Sequence, residues 1–303
     1  MATIDQVGLP FSGTIYGCEE ASYKGGMTAD TEWLSDSVTA VRLESGDINR
    51  SFRDISGRAI KDFSKTLVNP KLQVEYIWQG KSTASDLTLS KMNAVTNGVL
   101  KSYAFEIGAS TNSSVASSWF VCKGCTLDKT NIKATTGENY IITLDFDVGE
   151  VSTPSDTAAG TAPTSTVSAD YAAFNRAGSI TWTGLTLDSY YVTKGLDLTI
   201  SNNVEPYWDV GSTAKVCALP TSLDVTGTCD ISMDGGGGSH WTDVVAGTDI
   251  TSIVFTAGLG AGTEDTITLT DGRFDSTKIA QETSGAGMFD NVPFTFKTCT
   301  FSA

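Results

Sequence analysis

Between Leu196 and Ser212 the chain reads LDLTISNNVEPYWDVGS, with apolar residues at alternate positions (Leu196, Leu198, Ile200) until Ser201-Asn202-Asn203 interrupts them. Period-two alternation sends successive side chains to opposite faces. A strand is therefore expected there, followed by a turn and a second extended segment through Tyr207 and Trp208 to Asp209-Val210-Gly211. The same outline stands about 155 residues earlier as VRLESGDINRSFRDISGRA, with Phe52, Asp54 and Ile55 in the places of Tyr207, Asp209 and Val210. A lag of half the chain predicts a duplicated module.

Taken in order, residues 1–30 are broken by Pro10, Gly13, Gly17, Gly25 and Gly26 and are expected as an irregular arm, with one short strand near Thr14–Tyr16. A strand follows at Ser37–Leu43, and Phe52–Val68 reads as a paired ribbon with an exposed tip. Leu72, Val74, Tyr76 and Trp78 share one face of a clear strand. From Ser85 to Val95 the period changes to three (Leu89, Met92, Val95), which predicts a short helix capped by Ser85. Strands are expected at Lys101–Ile107 and Trp119–Cys122, a hairpin or loop at Leu127–Thr136, and a strand at Tyr140–Val148.

Residues 151–169, VSTPSDTAAGTAPTSTVSA, hold no aromatic residue and read as a linker. They form either a flexible tether or an extended arm that docks on a neighbouring subunit. The second half then repeats the first. Leu72–Trp78 is answered by Asp224–Asp234, the helix by a weak candidate at Ser239–Val245, and Lys101–Ile107 by Thr251–Ala257. Near the ends, Asp128, Thr130, Ile132, Leu144 and Phe146 match Asp275, Thr277, Ile279, Phe294 and Phe296. The expected fold is all-β: modules at 1–150 and 170–303, each with at most one short flanking helix.

Composition narrows the function. The formal charge of −15 and the acidic pI oppose nucleic-acid binding, which needs cations to displace counterions from phosphates. Most of the 20 basic residues lie in the first half. A basic patch is therefore expected only there, at Arg50, Arg53, Arg58, Lys61 and Lys65. Met1-Ala2-Thr3-Ile4-Asp5 shows no basic segment followed by an apolar core, so neither a signal peptide nor a membrane association is expected. The six cysteines are too sparse for a disulfide framework. Cys122-Lys123-Gly124-Cys125 has no second pair, and in a regular strand its thiols would point to opposite faces. His240, the single histidine, rules out His clusters and reads as a surface-loop residue. Gly235–Gly238 lacks the Lys-Ser/Thr of a phosphate loop and reads as a hairpin tip. No catalytic, cofactor or metal site emerges. The remaining signal is acidic residues alternating with apolar ones: Glu75, Asp145, Asp147, Asp224, Asp230 and Asp234. Paired carboxylates would suit a hydrolase only if two of them converged in one pocket.

The linker, the run ITWTGLTLDSYYVTKGLDLTISNNVEPYWDVGS, and then SLDVTGTCDISMD together resemble the tail tube proteins of long-tailed, siphovirus-like phages and archaeal viruses. The resemblance is carried by Asn202-Asn203, Gly211 and Val225-Thr226-Gly227. It implies β-sandwich modules whose inner sheets join into a closed barrel, six modules to a ring. Two modules per chain then give a trimer with pseudo-sixfold symmetry, six whole chains being the alternative. Such rings stack into a tube through which DNA passes without specific binding. The acidic residues above would face the lumen, and the basic patch with Asn202 and Asn203 would make contacts between subunits or rings. The resemblance further implies a virion protein assembled in the host cytoplasm, with tape measure, tail terminator and tail tip proteins as partners. The competing reading is a surface adhesin-like or carbohydrate-binding β-sandwich protein.

Overall fold

The computed structural model describes residues 14–28, 32–33, 38–46, 49–52, 62–65, 68–78, 89–93, 95–96, 99–109, 118–135, 138–153, 155, 158–160, 180–184, 193–211, 213–232, 237–257, 265–276, 279–280 and 288–302. The first half contains β1 (Thr14–Glu19), β2 (Glu32–Trp33), β3 (Val38–Glu44), β4 (Asn49–Phe52), β5 (Asp62–Lys65), β6 (Lys71–Ile77), α1 (Leu89–Met92), β7 (Val95–Thr96), β8 (Val99–Leu100), β9 (Tyr103–Ala109), β10 (Ser118–Thr135), β11 (Ile141–Asp147) and β12 (Glu150–Val151). The second contains β13 (Ile180–Thr183), β14 (Thr193–Ser201), β15 (Val204–Trp208), β16 (Lys215–Pro220), β17 (Asp224–Ser232), α2 (Gly237–Ala246), β18 (Ile250–Ala257), β19 (Asp265–Phe274), β20 (Ile279–Ala280) and β21 (Met288–Ser302). Among the described residues all strand pairing is antiparallel, in keeping with the expected all-β fold.

The halves share one pairing order. In the first, β1 pairs with β9, β9 with β10, β10 with β11, β11 with β6, and β6 with β3. In the second, β13 pairs with β18, β18 with β19, β19 and β20 with β21, β21 with β17, and β17 with β14. Each half also carries a hairpin, β4–β5 or β15–β16, between its corresponding strands. The lag seen in sequence reappears in register: Leu43 faces Leu72 and Leu198 faces Gly227.

The match at the ends of the halves needs correction. Leu127 faces Phe146 and Phe274 faces Phe294, so the structural counterpart of Phe146 is Phe294, not Phe296. Phe294 and Phe296 both point inward, so a shift of two keeps every apolar residue facing the core and leaves the sequence match degenerate.

Strand β10 contradicts the expected hairpin or loop at Leu127–Thr136. It is an 18-residue strand whose first part pairs with β9 and β12 and whose second part pairs with β11 and β14. The register against β9 shifts between Cys122 and Cys125, with Gly124 left-handed at φ 63°. This bulge turns both thiols into one core, overturning the expectation of opposite faces, and burial pushes the Cys125 thiol up. The strand thereby crosses from one sheet layer to the facing one. Phe105 of β9 meets Phe146 of β11 with ring centroids 4.9 Å apart.

Three further expectations change. Strand β1 is core rather than arm, with Ile15, Tyr16 and Cys18 buried. Gly17 hides its period, and a Cβ there would lie 2.6 Å from the Phe105 ring. Of the first helix candidate only Leu89–Met92 is helical among the described residues, and Val95 belongs to strand β7. Gly237, Gly238 and His240 lie in α2 rather than in a hairpin tip or loop.

At Gly227 a Cβ would lie 2.5 Å from the Phe294 ring and 2.6 Å from the Asp197 carbonyl. Gly227→Ala should therefore cost about 1–3 kcal/mol through overpacking, measured as a lower urea midpoint at unchanged m-value.

Candidate functional site

The two halves meet along a β-ladder. Gly195–Ser201 of β14 pairs with Lys129–Thr135 of β10, placing Ile132 opposite Leu198 and Thr130 opposite Ile200, all buried. Sheet pairing thus runs without a break from β13 to β3. Asp128 sits where β10 bulges between Leu127 and Lys129. Its carboxylate accepts the Val204 amide at 2.8 Å and its carbonyl the Asn202 amide at 2.7 Å. The buried Asn202 side chain donates to the Leu127 carbonyl at 3.0 Å. Asn203, left-handed at φ 46°, donates to Asp224 at 2.7 Å and to Ser222 at 2.9 Å. The Asn-Asn turn therefore joins the halves of one chain.

Hairpin β15–β16 leaves the second half and lies over the first. Lys215, 1 % exposed, places its ammonium 2.5 Å from Asp147, 2.8 Å from the Asn69 side chain and 2.9 Å from the Val148 carbonyl. The other Asp147 oxygen takes Lys71 at 2.9 Å. Each ammonium proton has an acceptor, which a buried lysine requires. Burial pulls the Lys215 pKa down, and Asp147 opposes that shift. Around this lock, Val204, Ala218 and Leu100 pack with Tyr23, and the Val68 amide donates to the Thr213 carbonyl at 3.2 Å.

A second buried acid holds the start of the Ser/Thr/Ala/Pro segment. Glu106, fully buried, accepts Tyr16 Oη at 2.9 Å and the amides of Ala159 and Gly160 at 2.5 and 2.8 Å. Burial, with the Glu106 charge, drives the Tyr16 hydroxyl pKa upward. Ser155 and Trp119 also exchange backbone hydrogen bonds, so the segment runs along its own first half up to Gly160.

The sheet face opposite the core is polar and mixed in charge. One row across the strands is Arg42, Gln73, Asp145, Lys129, Ser201 and Asp224. Arg42 donates to Gln73 at 2.6 Å, and Gln73 to Asp145 at 2.8 Å. Glu75 accepts Thr39 at 2.8 Å, Asn131 donates to Asp197 at 2.7 Å, and Asp230 accepts the Asn291 amide at 2.8 Å. Of the six acidic residues singled out from sequence, Glu75, Asp145, Asp224 and Asp230 stand on this face. Asp147 does not, because Lys215 seals it, and Asp234 lies outside the described residues. Arg50 and Lys65 are in β4 and β5, whereas Arg53, Arg58 and Lys61 lie outside the described residues.

Sequence reading assigned no role to Asp128, Lys215 or Glu106. Asp128 carried a signal, since it recurs as Asp275 in the second half. Lys215 carried one too, as a lone charge between Ala214 and Val216. Among the described residues no His, Cys, Asp and Glu group is arranged to hold a metal, and no helix is long and apolar enough to cross a membrane. Beside β3, an open groove of about 560 Å³ is lined by residues including Leu43, Val68, Pro70, Phe120 and Val151.

Compared with known families, residues 13–297 match the model described as phage tail tube protein. No curated protein matches the chain.

Breaking the buried pair should be far costlier than replacing it. Asp147→Asn or Lys215→Ala is expected to lose about 3–5 kcal/mol in urea unfolding, because one charge stays buried without its partner. The joint exchange Asp147→Leu with Lys215→Met should lose clearly less than the two single losses together.

Proposed function

The chain belongs to the phage tail tube protein family, a structural component of the virion tail, and from that premise we propose that it builds the ring whose stacked copies form the channel for DNA. The observation that carries this reading is the β10–β14 ladder together with the duplicated pairing order. Each half presents one strand that joins and one that receives. In the chain, β14 of the second half joins β10 of the first. That leaves two edges which the same joint would pair, β3 of the first half and the outer side of β20 in the second. Repeating the same joint between chains covers both of these edges and joins the inner sheets around the ring.

The register carries over. Because Ile132 faces Leu198, Ile279 of one subunit is expected opposite Leu43 of the next. Asp275 stands for Asp128: it is exposed, accepts Thr295 at 2.8 Å, and is suited to receive the neighbour's backbone at the start of β4. Modules at 1–150 and 170–303, joined by 151–169, then form a trimer with pseudo-sixfold symmetry. The polar face lines the lumen, where Glu75, Asp145, Asp224 and Asp230 among cations and amides give DNA phosphates no continuous cationic track. No catalytic residue is required. The tape measure, terminator and tip proteins are the proposed tail partners, with assembly in the host cytoplasm.

Electron microscopy of the concentrated protein should show rings or tubes of three chains per ring. Six chains per ring would overturn the trimer, and monomers under every assembly condition would overturn the function. Oxidising Leu43→Cys with Ile279→Cys should yield covalent species up to the trimer, whereas either single variant should stay at chain mass. For the lumen, changing Glu75, Asp145, Asp224 and Asp230 to Lys should leave tubes intact but slow DNA exit. Unchanged ejection kinetics would place these residues elsewhere.

A further inference from the structure

The two helices hold equivalent places in the halves, α1 between β6 and β9 and α2 between β17 and β18, but their surroundings differ. Helix α1 buries Leu89 and Met92 and reaches onto the other half, where Ser90 Oγ donates to the Phe301 carbonyl of β21 at 3.4 Å. Beside this contact remains only a small cleft, about 250 Å³, reaching from Asn93 to Leu223, Cys299 and Phe301. Helix α2 turns Val244 toward the core but leaves Trp241 47 % and Val245 70 % exposed. These two are four residues apart and so share one helix face. A large exposed aromatic beside an exposed aliphatic residue is the kind of patch that marks a contact surface.

The duplication identifies the counterpart of the surface on which α1 rests. Leu269 of β19 faces Cys299, and its equivalent Cys122 of β10 faces Val151. Leu223 corresponds to Val68 at the lag shared by Leu43 and Leu198. The first-half equivalent of the α1 seat is therefore the wall formed by Val68 and Val151, which is the open groove of about 560 Å³ beside β3. No helix covers it among the described residues.

We propose that α2 of one subunit docks through Trp241 and Val245 into the groove at Val68, Phe120 and Val151 of the next subunit. The occupant is a second copy of this chain. The docking reproduces between chains the contact that α1 makes within one, and it rests on the ring reading above. In the chain, α1 reaches from the first half onto the second; in a ring, α2 reaches in the same sense onto the following first half. The groove opens beside the free edge strand β3, so β-ladder and helix contact form one continuous interface. Burying Trp241 would supply the largest single apolar area of that joint.

The test uses the full chain. Trp241→Ser with Val245→Ser changes only exposed side chains, so circular dichroism and thermal unfolding of the unassembled protein should match wild type. The concentration needed for ring or tube formation, read by sedimentation and microscopy, should rise at least tenfold. Independently, Val245→Cys with Val151→Cys should be joined between chains by a short bis-maleimide in assembled protein, above the background that wild-type cysteines give. If wild type assembles, the Ser variant assembles at the same concentration and no added cross-link forms, the docking is overturned while the ring stands. If wild type fails to assemble and the Leu43–Ile279 pair fails to cross-link, the ring reading fails and the docking with it.

Discussion

An open sheet edge exposes a row of unpaired amides and carbonyls, and this chain is built around the need to cover it. Within one polypeptide the need is met by laying β14 of the second half against β10 of the first. Backbone hydrogen bonds and a buried row of Ile132, Leu198, Thr130 and Ile200 make that pairing, with Asn131 donating to Asp197 across its polar side. Because the halves share one pairing order, the joint made inside the chain is also the model for the one proposed between chains.

Backbone pairing alone specifies register weakly, since a shift of two residues preserves which face is buried. The joint therefore carries polar devices that tolerate no shift. Asp128 receives the chain as it leaves β14, and Asn202 closes on the bulge beside it. Lys215 reaches from the hairpin into Asp147, which Lys71 also holds. A buried ion pair contributes little net stability, but a misplaced one is heavily penalised, so its effect is to select one docking geometry. Bulges act similarly on β10: Gly124 lets a single strand serve both layers, which couples the outer sheet to the inner joint.

How much was legible in the sequence follows from the range of each interaction. The strands expected at Leu72–Trp78 and Tyr140–Val148 rest on local alternation, and the structure carries them as β6 and β11; of the ribbon expected at Phe52–Val68 it carries the pairing of β4 with β5, the tip lying outside the described residues. Of β10 only the Trp119–Cys122 part was legible; its continuation from Leu127 was not, because its Lys and Thr positions look like a loop until two neighbours pair with it. Strand β1 was legible as a short strand near Thr14–Tyr16, but its place in the core was hidden by Gly17, whose reason, the Phe105 ring over it, lies about ninety residues away. Asp145 and Asp147 look alike in sequence, yet one stands on the polar face and the other is sealed by a lysine from the other half.

The sequence by itself determined the all-β class of the fold and the recurrence of its strand pattern at half the chain, because alternation and turn chemistry are properties of neighbouring residues. Tertiary structure decided which acids are exposed, where the two halves join and which strand edges remain open. Those features depend on pairs far apart in the chain, and period-two alternation is blind to shifts of two. The strand Leu196–Ser201 shows both limits: its alternation announced a strand, and only β10 lying beside it made that strand the seam of the molecule.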